Sequence, residues 1–183
     1  MGKPKLIIVT GRPGAGKTTL SERLSREWYL PMVSRDRIKE GYVHTVGKSH
    51  DELPEGGNLE ATNTFFEALE FMLDHNISCI AEAAFQHKLW SARLEQLKDK
   101  ADIHILICYV DAQLALDRFL ERGLNDPARI SFHGDKGVHM YKQGIMPEPG
   151  PYEEPKLDLP TYRVETTDGY HPSLEELKNS ILK

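Results

Sequence analysis

Apolar positions in this chain fall into two alternating patterns. Short, nearly unbroken runs read as buried strands at Leu6 to Thr10, Met32-Val33-Ser34, Ile77 to Ala84, Ile103 to Val110 and Tyr162 to Thr166. Between them, apolar residues recur every three or four positions, as on one face of a helix. The stripes are Leu20, Leu24 and Trp28, then Phe65, Leu69 and Met72, then Trp90, Leu94 and Leu97, then Leu116 and Leu120, and last Leu174, Leu177 and Ile181. Parallel strands need a crossover, and strands apolar on both sides are covered on both sides. The alternation therefore predicts an α/β fold, a parallel sheet of about five strands with helices on both faces. Local signals agree. Asp111 can cap the helix after the fourth strand, and Ser173 with Glu176 forms a capping box for the last helix.

Two stretches lose both periods. The polar region holding Gly41, Gly47, Pro54, Gly56 and Gly57 reads as loop with short helical pieces. From Gly123 to Pro160 the pattern dissolves, and five prolines between Pro147 and Pro160 make helix there unexpected. A segment that long is read as a lid or substrate loop, residues 123–160, within one domain spanning 1–183.

Composition changes this picture little. The 183 residues are 39% hydrophobic and 28% charged, with a net charge of −5. That is ordinary for a globular domain, and with no run of basic residues it argues against a surface that holds long nucleic acid. Cys79 and Cys108 lie inside apolar strands, so they read as buried thiols rather than a disulfide or a zinc pair. No apolar stretch approaches the ~18 residues needed to span a membrane. The first strand begins almost at once, leaving no secretory pattern, so no membrane partner and a cytoplasmic location are expected.

The chemistry begins at residues 11–18, Gly11-Arg12-Pro13-Gly14-Ala15-Gly16-Lys17-Thr18. This is a complete G-x-x-x-x-G-K-T loop, and it stands between a strand and a helix, the context that gives it meaning. Glycines let backbone N–H groups turn inward around phosphate oxygens, and the helix N-terminus adds partial positive charge. Lys17 can reach the β- and γ-phosphates, and the Thr18 hydroxyl can ligate Mg²⁺. Gly11 to Thr19 is the expected ATP·Mg²⁺ site.

In an open parallel sheet, ligands bind beyond the carboxyl ends of the strands. After the second strand stands Ser34-Arg35-Asp36-Arg37. Asp36 can take the proton of an attacking hydroxyl, or cap the following helix, and the two roles are compatible. Arg35 and Arg37 can hold an anionic substrate or lower the pKa of Asp36. Glu82 ends the third strand, where it can hold Mg²⁺ through water or bind a substrate hydroxyl. Arg118 and Arg122 share a helix face and can neutralise transferring phosphate or stack on adenine, with salt bridging to Asp117 and Glu121 as the plainer use. Arg129 follows in the loop.

These motifs, in this order, resemble the P-loop kinases that phosphorylate hydroxyls. The chain is most similar to the group that includes polynucleotide 5′-hydroxyl kinase, chloramphenicol phosphotransferase and zeta toxin. The resemblance implies a P-loop NTPase three-layer sandwich, with Arg35-Asp36 like the pair whose aspartate is the general base. Arg122 looks like the lid arginine that contacts transferring phosphate, and Glu82 like the acidic residue ending the third strand. Residues Val164 to Tyr170 look like the last strand and the loop that contacts adenine. In polynucleotide kinase an arginine stands three positions after the base, and hydroxyl or amide side chains follow the third-strand acid. Here those positions are Lys39 and Ala83-Ala84.

The expectation is a kinase with Lys17, Asp36 and Arg122 as catalytic residues. Gly11, Arg12, Pro13, Gly14, Ala15, Gly16, Lys17, Thr18, Thr19 and Arg118 would hold the nucleotide, Arg35, Arg37 and Glu82 the acceptor, and Thr18 the metal. ATP and Mg²⁺ are the cofactors, and a hydroxyl-bearing small molecule the favoured acceptor. A nucleic-acid end is a second, less favoured acceptor, and a regulatory ATPase without an acceptor is the alternative from another class. A GTPase switch would need Asn-Lys-x-Asp and Asp-x-x-Gly, and neither string occurs.

Overall fold

The computed structural model describes residues 2–183. Five parallel strands form one sheet, β1 (Lys5–Thr10), β2 (Met32–Ser34), β3 (Cys79–Glu82), β4 (Asp102–Tyr109) and β5 (Thr161–Glu165), in the order β2-β3-β1-β4-β5. Eight α-helices accompany them among the described residues. These are α1 (Lys17–Trp28), α2 (Arg35–Val46), α3 (Gly57–Asp74), α4 (His87–Leu97), α5 (Ala112–Asn125), α6 (Ala128–His133), α7 (Lys136–Lys142) and α8 (Leu174–Ile181).

Strand side chains point alternately to opposite faces, and each face has its own core. Leu6, Ile8, Cys79, Ala81, Ile103, Ile105 and Ile107 pack against Phe65 and Leu69 of α3 and Trp90 and Leu94 of α4. Ile7, Val9, Ile80, Leu106 and Cys108 pack against Leu20, Leu24 and Trp28 of α1 and Leu174, Leu177 and Ile181 of α8. The fold is thus the expected three-layer α/β sandwich. Both cysteines are free and buried, and burial pushes each thiol up to about 12. Among the described residues no helix is long and apolar enough to cross a membrane.

Two regions differ from the sequence reading. The polar stretch after β2 folds as α2 and a 3-10 turn at His50–Glu52, and α3 already begins at Gly57. The helix α2 has no apolar stripe because it buries only Lys39 and Val43. Within 123–160, α5 runs on to Asn125, and α6 and α7 follow. These two short helices bury one residue, Val138, which leaves too little pattern to read. The proline-rich remainder has no regular structure, as its prolines predict.

That remainder is tied to the sheet. The Tyr152 hydroxyl lies 3.0 Å from Thr10 Oγ1 at the end of β1, and Thr10 accepts a bond from Trp90 Nε1 at 3.0 Å. His87 N donates to Glu153 O at 3.1 Å, and Lys156 N donates to His87 Nδ1 at 3.1 Å.

Candidate active site

The phosphate loop joins β1 to α1 at the carboxyl edge of the sheet. Gly14 has φ +82°, and a Cβ there would collide with the carbonyl oxygen of Ala115 in α5. Only glycine serves at this position, because the loop must turn left-handed while lying against another backbone. Thr166, just after β5, donates to Ala15 O at 2.8 Å and supports the loop from the other side. Lys17 is buried at the start of α1, and its Nζ donates to Arg12 O at 3.0 Å. Burial pushes the Lys17 pKa down, opposed by the charge of Glu82.

Glu82 is 2% exposed. Parallel pairing sets it beside Val9 on one side and Ser34 on the other. Ser34 Oγ donates to Glu82 Oε2 at 2.6 Å, and Thr18 Oγ1 donates to Oε1 at 3.4 Å. Burial pushes the Glu82 pKa up, while Lys17 and these two donors pull it back. The carboxylate therefore faces the loop threonine rather than an open acceptor surface, which favours the metal-side role over hydroxyl binding. The donor set suits Mg²⁺, a hard cation that keeps waters and substrate phosphates among its ligands.

Two clefts meet at Thr19 and Arg122. One, of about 410 Å³, is lined by Gly14, Gly16, Arg23, Arg118, Thr166 and Tyr170 as well as those two residues. Arg118 donates to Thr166 O at 3.0 Å and Thr167 O at 2.8 Å, so its hydrogen bonds hold the loop after β5. The Arg23 guanidinium lies over the Tyr170 ring, 5.5 Å from its centroid. The plainer reading of Arg118, pairing with Asp117 or Glu121, is not what forms: Asp117 accepts from Gln113 instead.

The other cleft, of about 460 Å³, is walled by α2 and α6 and holds Thr18, Ser34, Asp36, Arg37, Asp126 and Arg129. Asp36 stands in the first turn of α2, where the helix dipole favours its negative charge. Its side chain is half exposed and lies 3.6 Å from Arg35. Arg35 itself turns away from this cleft. Its guanidinium donates to Asn58 O and Oδ1 at 3.1 and 3.2 Å, so it braces α2 on α3 instead of meeting an acceptor. Arg37 lines the cleft but pairs with Glu40 at 3.0 Å. Arg122 is exposed at the junction of the two clefts, without an acidic partner, and its partial desolvation there lowers its pKa. Arg12 and Pro13 border a third hollow of about 330 Å³, closed by Leu116, Phe119, Pro147 and Tyr152.

Several contacts that shape the site carried no signal in the sequence. Tyr152 and Thr10 fix the strap beside the loop, and Thr166 supports it from β5. The buried Lys39 and the half-buried His50 form a pair at 2.7 Å. His44 and Phe132 pack at 4.8 Å in the α2–α6 cleft, their rings tilted by 50°. Trp90 is a core residue, fully buried against Phe65 and Phe85.

The comparisons agree with this geometry. Residues 6–138 match the family model described as an AAA domain. A shikimate kinase of Bacteroides fragilis is 40% identical over 67 residues, 36% of this chain and 37% of that protein, so the match spans little over a third of the relative's length. A crystal structure of a candidate kinase from Chloroflexus aurantiacus j-10-fl superposes with a TM-score of 0.70 and 26% identity, over 92% of this chain and 88% of that one. The APS kinase of Mycobacterium tuberculosis, solved with AMPPNP and APS, has a TM-score of 0.59 at 17% identity, over 100% of this chain and 97% of that one, a likeness of fold.

Proposed function

The chain belongs to the AAA domain family and has the P-loop kinase fold, and from that premise we propose that it is an ATP-dependent kinase. It transfers the γ-phosphoryl group to a hydroxyl of a small-molecule or nucleotide-type acceptor. The observation that carries this reading is the junction of two clefts at Thr19 and Arg122, one backed by the loop after β5, the other by Asp36. A triphosphate on Gly11 to Thr19, with its base toward Arg118 and Tyr170, directs its γ-phosphate at that junction.

Each residue then has a role. Backbone N–H groups of the loop and Lys17 hold the β- and γ-phosphates. Asp36 accepts the proton of the acceptor hydroxyl as its oxygen bonds to the γ-phosphorus. The bond from phosphorus to the bridging oxygen breaks, and ADP leaves with that electron pair. Arg122 neutralises charge on the transferring group. Thr18 and, through water, Glu82 would hold Mg²⁺, which would neutralise charge on the triphosphate. Residues 1–183 act as one domain, and 123–160 cover the acceptor and exclude water, which would otherwise compete for the phosphoryl group. A protein that consumes ATP in this way would work in the cytoplasm, where ATP is supplied.

The test is a panel of sugars, nucleosides, amino alcohols and aminocyclitols incubated with γ-labelled ATP and Mg²⁺. Labelled phosphate ester in one class supports the reading. Steady ATP turnover that no hydroxyl compound stimulates would instead indicate a regulatory ATPase.

A further inference from the structure

The α2–α6 cleft is lined by three arginines and three carboxylates, Arg37, Arg122 and Arg129 with Asp36, Glu40 and Asp126. Two of the arginines are already matched. Arg129 Nε donates to Asp135 at 3.3 Å, and both side chains are largely buried. Arg37 donates to Glu40 Oε2 at 3.0 Å and lies 3.9 Å from Glu22. The other oxygen of Glu40 lies 2.9 Å from His133 Nε2, so one carboxylate holds a cation on α2 and a histidine on α6. Behind the wall, Arg35 is bound to Asn58, and Lys39, 3% exposed, is bound to His50. Arg122 alone among the cleft arginines has no acidic partner, and it also opens onto the nucleotide cleft, where the γ-phosphate needs it.

An anionic group entering this cleft meets Asp36, Glu40 and Asp126, and the one unpaired arginine, Arg122, is the one the γ-phosphate claims. It must either approach carboxylates or displace one of the existing pairs, and both are unfavourable. Recognition of phosphate normally relies on arginine forks that are not otherwise engaged. Resting on the reading that this cleft receives the acceptor, we propose that Glu40 is a specificity-determining residue that excludes phosphorylated acceptors. By masking Arg37 and His133 it restricts the substrate class to hydroxyl compounds without a phosphate. This narrows the acceptor proposed above: nucleotide-type acceptors that carry a phosphate, sugar phosphates and nucleic-acid ends are turned away.

The experiment uses the full chain saturated with AMPPNP and Mg²⁺, after binding of that analogue has been measured for each protein. Failure to bind the analogue by the unaltered chain counts against the kinase reading and leaves the charge argument separate. Thymidine, thymidine 3′-monophosphate and a 5′-hydroxyl oligothymidylate are then titrated at low and raised salt. The wild type should bind the two phosphate-bearing probes no better than thymidine. Glu40→Gln should bind them at least about tenfold more tightly than the wild type, with the gain lost at raised salt. Glu40→Gln combined with Arg37→Ala should lose that gain. Tight binding of either phosphate-bearing probe by the wild type would overturn the proposal. So would a Glu40→Gln protein that binds the analogue but gains nothing. Should Glu40→Gln not fold, Glu40→Ala and the wild-type titration decide in the same way.

Discussion

Ser34 and Glu82 are partners across the β2–β3 pairing, and the serine hydroxyl donates to the glutamate at 2.6 Å. The carboxylate is thereby fixed with its second oxygen toward Thr18, the loop residue expected to ligate Mg²⁺. Glu82→Gln keeps the shape and removes the charge. The Mg²⁺ concentration giving half-maximal activity should rise on the order of 10- to 100-fold, the usual cost of an outer-shell change at a metal site. A magnesium titration at fixed ATP checks this, and an unchanged midpoint would assign Glu82 to another task.

Asp36→Asn removes a proton acceptor and retains the side-chain volume. Phosphoryl transfer should fall on the order of 10²- to 10⁴-fold, while AMPPNP affinity is largely spared. Acceptor kinetics beside analogue titration separate the two effects. Equal transfer by the variant would refute Asp36 as the base.

Arg118 and Arg122 share a helix face yet should fail differently. Arg122→Ala loses charge stabilisation at the moving phosphoryl group, so kcat should drop roughly 10²-fold or more. Arg118→Ala frees the carbonyls of Thr166 and Thr167 and loosens the loop after β5, so the KM for ATP should rise with a smaller change in kcat. Steady-state kinetics of the two variants against ATP test the split.

Lys39 gives the protein a specific alkaline signature. Burial, reinforced by Arg35, lowers its pKa from 10.5 to about 8. Below about 8 both folded and unfolded chains carry the proton, and the folded state bears the full cost of burying it. Above about 8 the folded lysine loses its proton while the unfolded chain still binds one, so this contribution to stability rises with pH until about 10.5. Thermal unfolding of the wild type and Lys39→Met between pH 7 and 10 should show the wild type gaining on the variant across that window. Parallel curves would contradict the assignment.

The legible parts of this molecule are those where burial is apolar and periodic. Leu6 to Thr10 and Ile103 to Val110 announce central strands, and the loop from Gly11 to Thr18 announces its own ligand. The structure follows both nearly residue for residue. Helix α2 was hidden because its buried side is Lys39 satisfied by His50 rather than an apolar stripe. Helices α6 and α7 were hidden because pairs such as Arg129–Asp135 and His133–Glu40 hold this region, and pairing leaves no period in the chain. The turning of Arg35 toward Asn58 was equally unreadable. Arg35 and Arg37, two positions apart, differ by a rotation of about 200° around a helix and so point to nearly opposite sides, and only the packed neighbours decide which one faces the cleft.

The strap at Tyr152 has a mechanical corollary. Its hydroxyl rests on Thr10, the residue from which the phosphate loop departs. Movement of the region between α5 and β5 is therefore bounded at both ends, by the helix before Asp126 and by this anchor after Gly150. Such a segment can bow inward as an arch but cannot swing as a flap. Residues inserted between Gly144 and Gly150 should be absorbed as slack, whereas a deletion of similar size there would pull on the triphosphate cradle itself.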